Sequence, residues 1–203
     1  MGRCKVIFLD RDGVINKKAL PHSYITRWEE FEILPGVCEA IRKCNKAGYY
    51  TAIVSNQRGI AKGICSRKQI DSLHEKMREY LTKKGAVIDI TCICPHDNGE
   101  CTCRKPEPGL LYMAEKQLWE ERKEKVDKER SWMIGDFISD VKAGQAYGVK
   151  TVWIQGRAAY KDGTEPELRP DYIAESLYEA VDFILSWEKR MKETDLRIQG
   201  KEK

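Results

Sequence analysis

The feature that most limits the fold of this chain is a short apolar stretch, Val6-Ile7-Phe8-Leu9, that ends directly at two carboxylates. Four consecutive apolar residues predict a strand buried on both faces, as in a parallel sheet. Asp10 and Asp12 follow the strand, and Gly13 then permits a sharp turn with room for a ligand. Because ligands of open α/β sheets bind at the carboxyl ends of the strands, the stretch predicts an α/β fold with a site there.

The two aspartates suit phosphoryl chemistry. Carboxylates this close raise the pKa of one of the pair, so that one stays ionised while the other carries a proton. We expect Asp10 to be the ionised member, which binds Mg²⁺ and attacks phosphorus, and Asp12 to protonate the leaving oxygen. A turn or capping role for the pair is the alternative, because Asp-x-Asp is a short motif.

Alternating strands and amphipathic helices follow. Strands are predicted at 50–54, 87–94, 132–134 and 150–154, with an edge strand at 171–173. Helices are predicted from Gly36 to Gly48, from Ser66 to Gly85, from Pro106 to Leu118, over 138–147 and from Ser176 to about Lys192. The buried stripe of the second helix is predicted to comprise Ile70, Leu73, Met77, Tyr80 and Leu81. The charged run 120–130 is interpreted as an exposed connection, and the order of elements predicts a Rossmann-like, mostly parallel sheet with helices on both faces.

Length and composition limit the remaining possibilities. The 203 residues suit one domain over 1–192 with a flexible basic tail over 193–203, as a monomer or weak homo-oligomer. No apolar run approaches the ~18–20 residues of a membrane span, and no apolar signal segment precedes the first strand. Eight cysteines without such a signal indicate a reducing, cytoplasmic compartment. The net charge of +4 suits a small anionic metabolite and does not require nucleic acid.

Polar residues end three of the predicted parallel strands, namely Asp10, Ser55 and Asp136. These ends lie at one edge of a parallel sheet, so the side chains are expected to converge. Asp136 is predicted to be a second metal carboxylate, or the N-cap of the helix that follows. Asp140 would orient a metal-bound water or Lys105, or serve the helix structurally.

Two further segments supply candidates for substrate binding. Hydroxyl and backbone N–H groups of the turn that follows the second strand can bind phosphate oxygens, which points to Ser55, Asn56, Gln57 and Arg58. Lys105 could give a point charge to the phosphoryl group, and Arg104 could bind another oxyanion in a forked geometry. A solvated surface pair is the alternative for these two basic residues.

A compact set of metal ligands precedes Arg104. It comprises Cys94, His96, Cys101 and Cys103. Three thiolates and one imidazole suit tetrahedral Zn²⁺, and a site closed by four protein ligands is structural rather than catalytic. Such a site would hold the basic pair beside it, while a chance cluster is the alternative.

The chain is similar to the haloacid dehalogenase (HAD) superfamily of phosphatases. Four segments resemble the motifs of that superfamily, namely Phe8–Asn16, Val54–Gln57, Arg104–Pro106 and Ile134–Asp136. With the Cys/His loop they resemble its zinc-loop subgroup, over roughly residues 5–155. The resemblance implies a phosphoaspartyl intermediate on Asp10, general acid–base catalysis by Asp12, and Mg²⁺ held by the carboxylates of Asp10 and Asp136 and the Asp12 backbone carbonyl. It also implies that the zinc loop replaces a large cap domain.

The substrates of the subgroup set the functional expectations. A heptose 1,7-bisphosphate is the leading substrate that the resemblance implies, with histidinol phosphate as the alternative. Phe137 stands where the subgroup often has Lys or Arg, and the loop from Lys17 to Arg27 matches poorly where the subgroup contacts substrate. A zinc-stabilised binding module without activity is the alternative of another class, although both catalytic aspartates are retained. A nucleic-acid 3′-phosphatase has little support, because no stripe of aromatic and basic residues accompanies the tail.

Overall fold

The computed structural model describes residues 2–154 and 169–199, with side chains described up to residue 193. The strands run over Gly2–Leu9 (β1), Tyr49–Asn56 (β2), Ile90–Cys94 (β3), Glu124–Val126 (β4), Trp132–Gly135 (β5), Lys150–Ile154 (β6) and Tyr172–Ala174 (β7). The helices run over Val37–Lys46 (α1), Arg67–Lys83 (α2), Gly109–Arg122 (α3), Ile138–Tyr147 (α4) and Leu177–Gln199 (α5), with single 3-10 turns at Trp28–Glu30 and Lys128–Arg130. No helix among these residues has the length and apolar character that a membrane crossing requires.

The seven strands form one sheet in which each described pairing is parallel. Its order is β3-β2-β1-β5-β6-β7, and β4 pairs with the first residues of β1. The predicted strand at the centre is therefore β1, flanked by β2 and β5. This confirms the predicted fold class, and the chain between β1 and β3 contains β2, α1, α2, one 3-10 turn and loops rather than a large cap domain.

Alternate side chains of β1 enter two separate cores, one on each face of the sheet. Ile7 and Leu9 pack with α1, α2 and α5, whereas Val6 and Phe8 pack with α3 and α4. All four are at most 1% exposed, which is why the strand has no polar position before Asp10. The two helical layers leave the carboxyl ends of β1, β2 and β5 as a free edge for a site.

Several predicted boundaries are wrong in detail. The charged run contains β4, which the sequence does not predict because a three-residue strand with a single buried side chain, Val126, produces no periodic pattern. The third strand begins at Ile90. Before it, the Val87 carbonyl accepts a hydrogen bond from the Thr51 hydroxyl, and the Asp89 carboxylate accepts one from the Thr51 N–H. The end of the third predicted helix also differs, because α3 continues past Leu118 to Arg122.

The second helix buries a different residue from the one predicted. His74 takes the place in the stripe that was assigned to Tyr80, which is 37% exposed and packs beside the Trp28 ring at 5.9 Å between centroids. The predicted cap of this helix is confirmed, because the Ser66 hydroxyl accepts a hydrogen bond from the Gln69 N–H.

The last helix is longer than predicted. Ser176 caps its start, where its hydroxyl accepts a hydrogen bond from the Glu179 N–H at 3.2 Å. The helix then continues beyond Lys192 to Gln199, through a sequence rich in good helix formers. Residues 200–203 of the predicted tail lie outside the described part of the chain.

Candidate active site

The ends of three neighbouring strands bring the predicted carboxylates and hydroxyl together. Asp10 follows β1, Ser55 is the penultimate residue of β2, and Asp136 follows β5. They open into a cleft of about 420 Å³. The cleft is lined by Asp10, Asp12, Lys18, Ser55, Asn56, Asn98, Arg104, Lys105, Pro106, Asp136, Phe137, Ser139 and Asp140.

Lys105 lies at the centre of this cluster. Its ammonium nitrogen is 3.0 Å from Asp10 Oδ1 and 2.6 Å from Asp140 Oδ1, and its side chain is 1% exposed. Burial alone would lower the pKa of Lys105, but the two carboxylates outweigh burial and hold it above the usual value. The lysine therefore presents a fixed positive charge next to Asp10.

Asn56 fixes the backbone of this lysine. Its amide NH₂ donates to the Lys105 carbonyl at 3.0 Å, and its amide oxygen accepts from the Lys105 N–H at 3.1 Å. Both polar groups of the Asn56 side chain are thus engaged with the main chain. Asn56 also lines the cleft, so the predicted contact with substrate stays a prediction, while the pairing shows that Asn56 positions Lys105.

Asp12 lines the cleft and accepts hydrogen bonds from three neighbouring side chains. Nη2 of Arg11 donates to both of its carboxylate oxygens at 2.9 and 2.8 Å, and the side-chain amides of Asn16 and Gln57 donate at 2.9 and 3.2 Å. Burial raises the pKa of Asp12, but Arg11 and these hydrogen bonds outweigh it and lower the pKa overall. The expectation that Asp12 is the carboxyl of raised pKa is therefore wrong, because its neighbour in sequence is a cation that folds back onto it.

The Arg11 side chain is only 1% exposed, and the sequence does not predict this burial. Nη1 of Arg11 lies 3.2 Å from Nε2 of His74 on α2, and the guanidinium lies 5.7 Å from the centre of the Phe31 ring. Since arginine only donates hydrogen bonds, Nε2 of His74 accepts and the imidazole is neutral. Burial lowers the pKa of His74 to about 3, and the charge of Arg11 adds to that effect.

Asp136 is arranged differently from Asp12. Its Oδ2 lies 2.5 Å from the Lys18 ammonium, whereas its Oδ1 is buried without a hydrogen-bond partner among the described residues. Gly13 makes this approach possible: its φ is +91°, and a Cβ there would lie 1.7 Å from Asp136 Oδ2. The structure assigns the helix N-cap to Phe137 rather than to Asp136, and Asp140 Oδ2 accepts from the Phe137 N–H at 3.0 Å.

The carboxylates form a donor set suited to a hard cation. Oxygen atoms of Asp10, Asp136 and Asp140 all lie within 4.8 Å of one another. Burial raises the pKa of Asp136 to about 7, against the opposing effect of Lys18, and raises that of Asp140 to about 6. Converging carboxylates with one orphaned buried oxygen match the all-oxygen coordination that Mg²⁺ prefers.

The four predicted zinc ligands converge in the loop after β3. Sγ of Cys101 lies 3.5 Å from Sγ of Cys94 and 3.2 Å from Sγ of Cys103, and Nδ1 of His96 lies 3.5 Å from Cys103 Sγ. Burial would raise the pKa of Cys101, but hydrogen bonds from Cys103 and the Arg104 N–H outweigh it and lower the pKa to about 6. Three sulfurs and one imidazole nitrogen around a common point fit a closed tetrahedral zinc site.

This loop contacts both predicted arginines. Arg104 donates through Nε to Asn98 Oδ1 at 2.8 Å and lies beside the cleft. Arg58 forms an ion pair with Asp97 and does not line the cleft. Gln57 also lies outside the lining, because its amide donates to Ser55 Oγ at 3.0 Å and to Asp12. Of the four residues 55–58 that the sequence predicts to bind phosphate, only Ser55 and Asn56 therefore line the cleft.

Comparison with known proteins agrees with this geometry. A family model described as HAD-hydrolase-like matches residues 102–180. A relative from Pasteurella multocida, named D-glycero-beta-D-manno-heptose-1,7-bisphosphate 7-phosphatase, is 36% identical over 85% of this chain and 92% of its own length. A D-glycero-D-manno-heptose-1,7-bisphosphate 7-phosphatase from Thermosynechococcus vestitus is 34% identical over 88% of this chain and 94% of its own length.

A solved structure gives the same result for the fold. The D,D-heptose 1,7-bisphosphate phosphatase from B. bronchiseptica, complexed with magnesium and phosphate, aligns with a TM-score of 0.78 at 29% identity over 90% of this chain and 98% of that one. The parallel sheet with its aspartates and lysine at the strand ends defines a phosphatase of the HAD superfamily, that is, a phosphoric monoester hydrolase. Within that class, the chain belongs to the family of the heptose-bisphosphate phosphatases.

Proposed function

We propose that this protein is a Mg²⁺-dependent phosphatase that removes the C7 phosphate of D-glycero-D-manno-heptose 1,7-bisphosphate. The observation that carries the proposal is the buried Lys105 between Asp10 and Asp140, in a chain that matches phosphatases of this name over most of its length. A cation fixed next to a carboxylate nucleophile is what an incoming phosphoryl dianion requires.

Asp10 and Asp12 share the two steps of the reaction. A carboxylate oxygen of Asp10 attacks phosphorus, the bond from phosphorus to the sugar oxygen breaks, and Asp12 donates a proton to that oxygen. Asp12 then accepts a proton from the water that attacks the phosphoaspartyl group, and inorganic phosphate leaves. Arg11 keeps Asp12 ionised in the absence of substrate. The negative charge of the bound phosphate ester is therefore needed to raise the pKa of Asp12, so that Asp12 carries a proton before the first step.

Lys105 and the Ser55 hydroxyl are proposed to hold the transferring phosphoryl group, and Arg104 to hold the substrate. Asn56 and Gln57 act indirectly, since their amides bind the Lys105 backbone and the Ser55 hydroxyl. Arg58 supports the loop through Asp97. A small phosphorylated metabolite rather than nucleic acid as substrate, and a cytoplasmic location, stay predictions from the sequence.

Two metal sites belong to the proposal. The Asp10 and Asp136 carboxylates and the Asp12 backbone carbonyl would hold Mg²⁺, with Asp140 as support; the ion supplies positive charge that neutralises the phosphoryl oxygens. The unpartnered Oδ1 of Asp136 supports this set. Cys94, His96, Cys101 and Cys103 would hold Zn²⁺ and stabilise the loop that carries Arg104.

A phosphate-release screen tests the proposed function. It compares both anomers of the heptose bisphosphate with histidinol phosphate and a 3′-phosphorylated oligonucleotide, with Mg²⁺ and with chelator. We expect phosphate release from the heptose bisphosphate, dependent on Mg²⁺, at a kcat/KM at least tenfold above the other substrates. Faster hydrolysis of histidinol phosphate would overturn the substrate, and no release from any ester by the zinc-loaded protein would favour a binding module.

A further inference from the structure

Lys18 lies at the rim of the cleft and has no part in the chemistry above. It belongs to the loop after β1, and its side chain is 49% exposed. Its ammonium nitrogen lies 2.5 Å from Asp136 Oδ2 and 5.6 Å from the centre of the Phe137 ring. A flexible cation therefore stands at the mouth of a site built for anions.

The other two cations of the cleft have roles proposed above, Lys105 with the transferring phosphoryl group and Arg104 with the substrate, and both are also bound within the protein. Lys105 is buried between Asp10 and Asp140, and Arg104 is bound to Asn98 and to the backbone of the zinc loop. Lys18 differs, because the carboxylate with which it pairs is one of the proposed ligands of Mg²⁺. A divalent cation and an ammonium group repel each other at short range, so metal binding at Asp136 weakens the hold of that carboxylate on Lys18.

The surroundings of Lys18 also favour a role in binding an anionic group of the substrate. Phe137, which is 59% exposed, forms an apolar wall beside it and contributes no charge to the rim. A substrate with two phosphates needs a cation for the phosphate that is not transferred, and Lys105 and Ser55 lie on the buried floor with the reacting group. The four-carbon stem of lysine lets its charge move from Asp136 to such a group.

We propose that Lys18 is a specificity-determining residue that binds the second, non-transferred phosphate of the bisphosphate substrate. The inference rests on the proposed function, and it adds a residue from the loop of Lys17 to Arg27, which matches the subgroup poorly. It distinguishes Lys18 from the neighbouring Lys17, whose side chain is 67% exposed, pairs with Glu32 and does not line the cleft.

The test compares two substrates in three variants. Steady-state kinetics are measured for Lys18→Ala, Lys18→Arg and the matched control Lys17→Ala, on the heptose 1,7-bisphosphate and on the same heptose carrying only the 7-phosphate. For Lys18→Ala we expect kcat/KM on the bisphosphate to fall about 10- to 100-fold, mainly through KM, as for the loss of one charge-assisted hydrogen bond. The 7-monophosphate should be hydrolysed within twofold of the wild-type rate, Lys18→Arg should recover most of the loss, and Lys17→Ala should match the wild type on both substrates.

A binding measurement separates this inference from the proposed function. The bisphosphate is titrated calorimetrically into Asp10→Asn and into the double variant with Lys18→Ala, so that no turnover occurs. Weaker binding in the double variant supports the inference. Equal binding, or an equal kinetic loss on both substrates, overturns it and assigns Lys18 to the reacting phosphate or to Asp136 alone. Failure of the wild-type enzyme to hydrolyse the bisphosphate overturns the proposed function itself, and the inference with it.

Discussion

Lys105 Nζ lies 2.6 Å from Oδ1 of Asp140, and both side chains are 1% exposed. The same aspartate accepts a hydrogen bond from the backbone N–H of Phe137 at the start of α4. One carboxylate therefore fixes both the lysine that faces Asp10 and the helix that follows Asp136. Gly135 allows this arrangement, because a Cβ there would lie 2.1 Å from the Asp140 Cβ.

Loss of Asp140 should lower both stability and turnover. Asp140→Ala leaves the Lys105 charge buried with one partner, and we expect a loss of about 3 kcal/mol in the free energy of unfolding. Turnover should fall at least ~10-fold, since a misplaced Lys105 no longer holds the phosphoryl group. Urea unfolding and steady-state kinetics measure the two effects. In the double variant with Lys105→Met the stability losses should be less than additive, and strict additivity would show that the pair is not coupled.

Replacement of Gly13 should prevent metal binding. Gly13→Ala adds a Cβ that would overlap Asp136 Oδ2, and we expect the apparent affinity for Mg²⁺ and the turnover to fall at least ~100-fold. Gly63 is a matched control, because it also has a positive φ of +67° but no atom lies within 4 Å of its added Cβ. Gly63→Ala should cost only about 1 kcal/mol of backbone strain. Equal effects of the two substitutions on activity would contradict the close approach at Gly13.

The convergence of Asp10, Ser55 and Asp136 could be predicted from the sequence, because it depends on strand order and on which residue ends each strand. The partners of these residues could not. Arg11 and His74 are 63 positions apart, and their contact depends on how α2 packs against the turn after β1. The burial of His74 could not be predicted for the same reason, since a polar residue fits the buried stripe of α2 only when Arg11 supplies its partner.

Loss of a zinc ligand should destabilise the loop, although the ligand itself takes no direct part in the chemical step. Cys101→Ser removes one of the four converging donors, and structural zinc contributes roughly 10 kcal/mol of apparent binding free energy. We expect the purified variant to lose its zinc, to melt at a lower temperature and to have a raised KM, because the loop no longer holds Arg104 at the cleft. Cys38→Ser is the control, because Cys38 lies outside the cluster. An unchanged melting curve and zinc content for Cys101→Ser would remove the zinc site from the account.

His74 should make the protein less stable in acid. The unfolded chain takes up a proton at His74 near pH 6.5, whereas burial, with the charge of Arg11, lowers the pKa of the folded imidazole to about 3. Acid therefore favours the unfolded state between these values, and the stability lost at this site grows as the pH falls below 6.5. His74→Gln keeps an acceptor for Arg11 and removes the titration, so its free energy of unfolding should fall less steeply from pH 6.5 to pH 4. Parallel curves for the two proteins would contradict the buried, neutral imidazole.

Substitution of Asp10 should abolish most of the turnover. If its carboxylate is the nucleophile, Asp10→Asn should lower turnover by at least ~10⁴ while the fold and zinc content are retained. Ser139→Ala is a useful comparison, because Ser139 lines the cleft but carries no proposed role in the reaction.

The measurement that tests the central claim is rapid quenching of the wild-type enzyme during turnover, followed by borohydride reduction and mass spectrometry. An acyl phosphate on Asp10 is reduced to homoserine, so we predict that change at position 10 in the wild type and its absence in Asp10→Asn. Detection of the modification at another residue, or wild-type turnover by Asp10→Asn, would contradict covalent catalysis by Asp10.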